Sequence, residues 1–194
     1  MNKESGRILL WFLVAVIIIG AFLAMIFLTS GGGGPESGAP GTLSTPVTDE
    51  EWWRGNLDSD IILVEYSDFQ CPACKSREPM IEDLLSEFGS HIRFVYRQFP
   101  LRNIHDNAQL SAQASEAAGL QGKFWEMHDK IFENQEIWKD QSNSEAEASF
   151  TSYALELGLD IDKFKDDLDS NFVENAVDSD YDSGITSGVN STPT

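Results

Sequence analysis

Ile61-Ile62-Leu63-Val64-Glu65-Tyr66-Ser67-Asp68-Phe69-Gln70-Cys71-Pro72-Ala73-Cys74 is the stretch that decides how this 194-residue chain folds. Its opening run of branched apolar residues, without strict alternation, reads as a central strand buried on both faces. The chain's two cysteines follow directly, where an amphipathic helical pattern begins. A thiol at a helix N-terminus feels the positive end of the macrodipole and the unbonded backbone N–H groups, which lower its pKa and favour the thiolate. The pair reads as a redox dithiol. Cys71, nearer the helix start, is the expected nucleophile, and Cys74 the resolving thiol.

Working outward, the helix runs to about Phe88, with Met80, Ile81, Leu84, Leu85 and Phe88 on one stripe and Gly89 as its stop. Ile92 to Phe99 is the next strand. Strand, helix and strand in that order make a βαβ unit, parallel and right-handed. From about 103 to 187 no strand pattern occurs. Ala108, Ala112 and Ala118 mark a helix there, as do the group from Phe124 to Phe132, that from Phe150 to Leu157, then Ile161, Phe164 and Leu168, and finally Phe172 to Ile185. The fold class is therefore α/β with an inserted helical block. Thr192-Pro193-Thr194 follow a Gly188-Val189-Asn190 turn with no strand after them. A two-stranded unit leaves an open sheet edge, so a continuing hairpin and helix are expected and the chain reads as C-terminally incomplete.

On the N-terminal side, Ile8 to Leu28 is an uncharged run long enough to cross a bilayer as a helix. Lys3 and Arg7 precede it and the first charge after it is Glu36, which puts the N-terminus in the cytoplasm. Residues 1–28 thus read as a cytoplasmic stub and transmembrane anchor, and 29–47, with four consecutive glycines and Pro35, Pro40 and Pro46, as a flexible linker. Residues 48–194 are the domain, on the periplasmic or extracellular side of a single-pass cell-membrane protein. It opens on Thr48-Asp49-Glu50-Glu51, which reads as a capping box ahead of Trp52 and Trp53. The net charge of −19 argues against a nucleic-acid partner.

Beyond the strand and the cysteines, the chain resembles the membrane-anchored, DsbA-like thiol–disulfide oxidoreductases of the thioredoxin superfamily. Tyr96-Arg97-Gln98-Phe99-Pro100-Leu101, His105, the run Ala117 to Trp125 and Ser191-Thr192-Pro193-Thr194 carry that likeness together with the CPAC segment, in order along the domain. The resemblance implies a thioredoxin-like fold with an inserted helical domain. It further implies a redox-active Cys71–Cys74 disulfide in place of any bound cofactor, and exported, unfolded or disulfide-containing proteins as clients. A quinone-linked membrane reoxidant is the implied redox partner. Glu65, six residues before Cys71, falls where the superfamily keeps an acid. Burial there raises its pKa and makes it a proton acceptor for Cys74. Pro79 stands where the family kinks its active-site helix. Thr192 and Pro193 match a cis-proline loop that binds substrate by strand addition, although Ser191 replaces a frequent glycine. In the dipeptide between the cysteines, Ala73 stands where a DsbA-type site has a histidine, which removes one thiolate-stabilising group.

Two rival functions share the same residues: a copper-handling protein, since exposed CxxC thiolates suit Cu(I), and a peptide-binding adaptor without turnover. Zinc lacks a second ligand pair. His105, at a helix start, reads as a satisfied structural histidine, and Asp178, Asp180 and Asp182 as a solvated helix face.

Overall fold

The computed structural model describes residues 43–194. The anchor expected over 1–28, and the linker up to residue 42, lie outside the described residues. No helix among the described residues is long and apolar enough to cross a membrane.

Three strands form one sheet in the order β1-β3-β2. β2 (Ile62–Ser67) and β3 (Arg93–Gln98) run parallel, joined by α1 (Pro72–Phe88), which is the expected βαβ unit. β1 (Trp53–Gly55) pairs antiparallel with β3. Sequence reading missed this strand. The Thr48–Glu51 box forms only in part, Thr48 N–H donating to Glu51 Oε1 at 2.7 Å, and no helix follows it. Glu51 is instead drawn to the buried Arg97 guanidinium, whose Nε donates to Oε2 at 2.8 Å, and this steers the chain into the sheet edge.

The helical block also matches the sequence pattern: α2 (Ala108–Gly119), α3 (Phe124–Glu133), α5 (Asn143–Glu156), α6 (Ile161–Leu168) and α7 (Asn171–Thr186), with the unforeseen short α4 (Gln135–Trp138) between. α5 starts at a full capping box of Ser142 and Glu145. Side chains of one sheet face, Phe94 and Tyr96, join Met127, Ile131, Phe132, Trp138, Phe150 and Phe164 in the main core. The opposite face, with Tyr66 and Phe99, packs on Val189, Tyr181 and Leu43. Here α7 comes so close that a Cβ on Gly184 would stand 2.6 Å from the Phe99 ring. Any larger residue there must push the helix off the sheet.

Two expectations need correction. β3 is buried along its whole length, but only the second half of β2 is, since Ile62 is 45% exposed and Leu63 38%. β3 is the inner strand, flanked on both sides, and β2 lies outside it. For the same reason the apolar stripe of α1 is only partly used: Ile81 and Leu85 pack on the core while Met80 and Phe88 stay exposed. The folded unit also begins before residue 48. Ser44 Oγ bonds to Thr186 and Ser183, and the carbonyls of Thr45 and Thr48 accept from Arg97 and Arg93. Two buried guanidiniums need acceptors, and the end of the expected linker supplies them.

Between α2 and the sheet, Glu116 is buried, accepting from Trp52 Nε1 at 2.8 Å and Gln98 Nε2 at 3.1 Å. Burial raises its pKa to about 7. Asp180, expected on a solvated face, instead accepts the Gln98 N–H at 2.9 Å, and burial followed by the Glu116 charge raises it to about 8. Acids raised in the folded state bind protons that the unfolded chain has released. Their stabilising effect is present below the unfolded pKa and lost as pH rises through the folded one. The expected outcome is a urea midpoint that falls from pH 5 to pH 8, with Glu116 contributing about 3 kcal/mol, and a flatter profile for Glu116→Gln.

Candidate active site

Cys71 is the N-cap of α1 and Pro72 opens the helix, a position where the missing proline N–H removes no bond. Cys71 is 7% exposed and Cys74, one turn on, is fully buried. Both are free thiols. The Cys71 N–H closes a turn onto the Asp68 carbonyl at 3.0 Å, and the Asp68 N–H donates to Cys74 Sγ at 3.5 Å. Gln135 of α4 donates to the Phe69 and Cys71 carbonyls at 2.6 and 3.1 Å, so the helical block grips the loop that carries the dithiol.

The C-terminal loop meets the thiols from the other side. Cys71 Sγ donates to the Thr192 carbonyl at 3.6 Å, the Thr192–Pro193 bond is cis, and Thr194 exchanges two backbone hydrogen bonds with Tyr66 on β2. The structure thus brings Cys71, Cys74, Thr192 and Pro193 together. A groove of about 300 Å³ opens beside them, lined by Leu63, Val64, Glu65, Met80 and Leu84 along with Pro193 and Thr194.

The two thiols are driven apart electrostatically. A hydrogen bond from the Cys74 thiol lowers the Cys71 pKa to about 5, against the opposing effect of burial and with help from Thr192 and the backbone N–H groups of Cys74 and Ala73. Cys74 is pushed far up, first by that same bond and then by burial. The bond between the thiols sets this asymmetry and the backbone N–H groups of the helix start add to it, which is the arrangement of a nucleophile and its partner.

Behind Cys74 lies a cluster of polar side chains that follows from pleat and helix geometry. Glu65 and Tyr96 are register partners on β2 and β3, and Ser67, two residues along, shares their face. Glu78 stands four residues after Cys74 on the same side of α1. Glu65 Oε1, Ser67 Oγ and Tyr96 OH are buried with no hydrogen-bond partner. Burial raises Glu65, while Ser67 and Arg77 moderate the shift. Burial, then the charges of Glu65 and Asp129, raise Glu78 to about 8. His128 sits 3.9 Å from Glu78 in a cage of aromatic rings including Tyr96, Phe69 and Trp125. Sequence reading found Glu65 but missed Glu78, Tyr96 and Ser67. The i, i+4 spacing from Cys74 and the alternation along β2 are the signals that point to two of them.

A βαβ unit with a CxxC at the start of its helix, a cis-proline loop against the thiols and a helical insertion defines a thioredoxin-like dithiol domain. The family model described as "Thioredoxin" matches residues 47–194, and the chain belongs to that family. Its fold is that of DsbA-like thiol–disulfide oxidoreductases. Among solved structures it is similar to BdbD from Bacillus subtilis (22% identity, TM-score 0.65, 74% of this chain and 79% of that one). It is also similar to the thiol-disulfide exchange protein alpha-DsbA2 from Wolbachia pipientis (22%, 0.62, 74% and 73%). A thioredoxin-like oxidoreductase from Silicibacter pomeroyi DSS-3 is 25% identical, with a TM-score of 0.62 over 75% of this chain and 79% of that one. Among curated proteins it is 39% identical to Na(+)/H(+) antiporter NhaA 1 of Salinispora arenicola over 78% of this chain. It is 35% identical to Na(+)/H(+) antiporter NhaA of Herminiimonas arsenicoxydans over 91% of this chain. The chain spans 22% and 29% of the length of those two relatives.

Proposed function

We propose that the chain exchanges disulfides with exported proteins, oxidising or isomerising them through Cys71 and Cys74. The observation that carries this reading is the asymmetry of the pair: a rim thiol lowered to about 5 beside a fully buried thiol raised far above its ordinary value. A thiol that ionises so easily favours the reduced form of the protein, which makes the disulfide form an oxidant.

In the oxidising direction a client thiolate attacks Cys71 Sγ of the Cys71–Cys74 disulfide. The Cys71–Cys74 bond breaks, Cys74 leaves with the electron pair, and Glu65, whose affinity for a proton is increased by burial, is the group placed to give it one. A second client thiolate then attacks the client sulfur of the mixed disulfide and releases Cys71 as a thiolate. The client has lost two electrons and the dithiol has gained them. Reoxidation runs the other way, with Glu65 accepting the proton of Cys74. An extended client would lie against the cis-proline loop beside Cys71, pairing with the main chain of Thr192.

On this reading residues 8–28 tether the domain to the membrane with the N-terminus in the cytoplasm, a proposal supported by Lys3 and Arg7 before the run and the acidic sequence after it. A quinone-linked membrane protein is the proposed reoxidant. The antiporter relatives are matched over a minor part of their length, and antiport is not proposed for this chain.

The test is transfer from the oxidised full-length protein to a reduced, unfolded client. One disulfide gained by the client per protein consumed, and a reduction potential well above the ~−270 mV of a cytosolic thioredoxin, are the expected results. No exchange in either direction would return the site to an adaptor or metal-handling role.

A further inference from the structure

The loop that carries Thr192 is held from behind by the first residues of the folded unit. α7 ends at Thr186, Ser187 caps it, and Gly188, at φ +84°, turns the chain toward Thr192. The last turn of a helix frays unless something holds it. Here the hold comes from a residue distant in sequence. Ser44 N–H donates to Ser187 Oγ at 3.0 Å, and Ser44 Oγ donates to the Ser183 carbonyl at 3.1 Å while pairing with Thr186 Oγ1 at 2.6 Å. Leu43, beside it, packs on the cluster of Tyr66, Phe99 and Val189, the last of these already in the loop.

A second line runs through the buried Arg97. Its guanidinium donates to the Thr45 carbonyl at 3.2 Å, to the Pro46 carbonyl at 3.4 Å and to Tyr66 OH at 2.8 Å, and that hydroxyl pairs with Ser183 Oγ of α7 at 2.9 Å. The main chain of the same Tyr66 exchanges two hydrogen bonds with Thr194, at 2.8 and 3.1 Å. Residues 43–46 therefore bear on both ends of the segment 187–194, directly at Ser187 and through Arg97 and Tyr66 at Thr194. The middle of that segment brings the Thr192 carbonyl to 3.6 Å from Cys71 Sγ.

We propose that residues 43–46 are a positioning strap for the client-binding loop: by fixing the end of α7 and the Tyr66 strand position, they hold the main chain of Thr192 ready to receive an added strand. This deepens the thiol-exchange reading and rests on it, since it takes Thr192 as the residue that receives clients. A peptide adds as a strand to a main chain that is already extended and fixed, and each bond that fixes it beforehand reduces the ordering cost of binding. The strap acts through Ser183, Ser187 and Tyr66, and none of its residues is among the groups that shift the pKa of either cysteine. Its effect therefore falls on client binding, with the chemistry of the dithiol left as it is.

The test uses the full-length protein with Leu43→Ala and Ser44→Ala combined. Amide hydrogen exchange over residues 187–194, followed by mass spectrometry with no client present, is expected to quicken about tenfold while β3 and α2 keep the parent's protection. Disulfide transfer to a reduced, unfolded client is expected to show a KM about threefold higher at unchanged kcat, because the binding-competent loop is populated less. Leu43→Ile with Ser44→Thr, which keep the apolar bulk and the hydroxyl, should retain the parent's values for both. If the alanine pair loosens the whole domain, Ser44→Ala alone decides, and global loosening there too overturns the proposal. Unchanged exchange over 187–194 overturns it as well, as does local loosening with the parent's KM. Because the exchange measurement uses no client, an unmoved loop leaves the thiol-exchange function standing wherever transfer still occurs. A loosened loop in a variant whose parent transfers nothing supports the hold of the strap and sinks the thiol-exchange function instead.

Discussion

Cys71→Ser is expected to reduce disulfide transfer to the uncatalysed background, while Cys74→Ser, which cannot form the Cys71–Cys74 disulfide, retains Cys71 attack on a client that carries a disulfide and accumulates the mixed disulfide with it. The asymmetry follows from position: Cys71 reaches the rim at the helix start, and Cys74 is enclosed by Asp68, Ser67 and the sheet. Alkylation of the reduced protein offers a second readout, and here magnitude decides what to look for. At pH 7 a thiol with a pKa of about 5 is about thirty times more ionised than a free cysteine, but the weaker nucleophilicity of the stabilised thiolate cancels nearly all of that advantage. At pH 5 the ionisation ratio exceeds a thousand and the net gain is roughly fortyfold. The signature is therefore an alkylation rate that inflects near pH 5 and levels off above it. Since the Cys74 hydrogen bond is the largest contribution, the inflection moves upward in Cys74→Ala, which removes the donor, whereas the hydroxyl of Cys74→Ser keeps one. An inflection near 8.5 in the parent protein would remove the helix-start account of Cys71.

The βαβ unit and the inserted helices were legible because their signals are local. A strand of branched residues, a CxxC and a 3.6-residue apolar period need no knowledge of what they pack against. β1 was not legible, because Trp53-Arg54-Gly55 is too short to show a period and its place is set from outside, by pairing with β3 and by Arg97 drawing Glu51 inward. The exposure of Ile62 and Leu63 escaped for the opposite reason. An apolar run reports that a strand is suited to burial and says nothing about which neighbours are present. In the site, Cys71, Cys74 and Pro193 were found by motif, and Glu65 by its distance from the cysteines. Asp68 and His105, 37 residues apart in the chain, meet only because the loop after β3 folds back over the turn before α1. Asp180 shows the same limit: alternating aspartates on a helix give no sign that one of them caps the end of a buried strand.

Glu65→Gln is the substitution whose effects on rate and on stability run in opposite directions. The carboxyl lies on the buried face of β2, two residues from Ser67 and beside Tyr96, and burial raises its pKa. A group of this kind stabilises the fold least when ionised. Its contribution is complete below the unfolded pKa and is lost as pH rises through the raised folded value, so glutamine, which cannot ionise, should increase the urea midpoint at pH 8 and leave it unchanged near pH 4. The same change removes the group that exchanges a proton with Cys74, a thiol that cannot form a thiolate unaided because its own pKa is driven up. Re-formation of the Cys71–Cys74 disulfide is therefore expected to slow about a hundredfold, the lower range for loss of a general base, and to lose the pH inflection that Glu65 imposes. A variant that is more stable yet slower cannot owe its slowness to damaged folding. If the rate is unchanged at every pH, the proton leaves by Glu78 instead, the other raised carboxylate behind Cys74 and the one that opens to solvent beside Lys75 and Glu82. Glu78→Gln would then carry the slow phenotype.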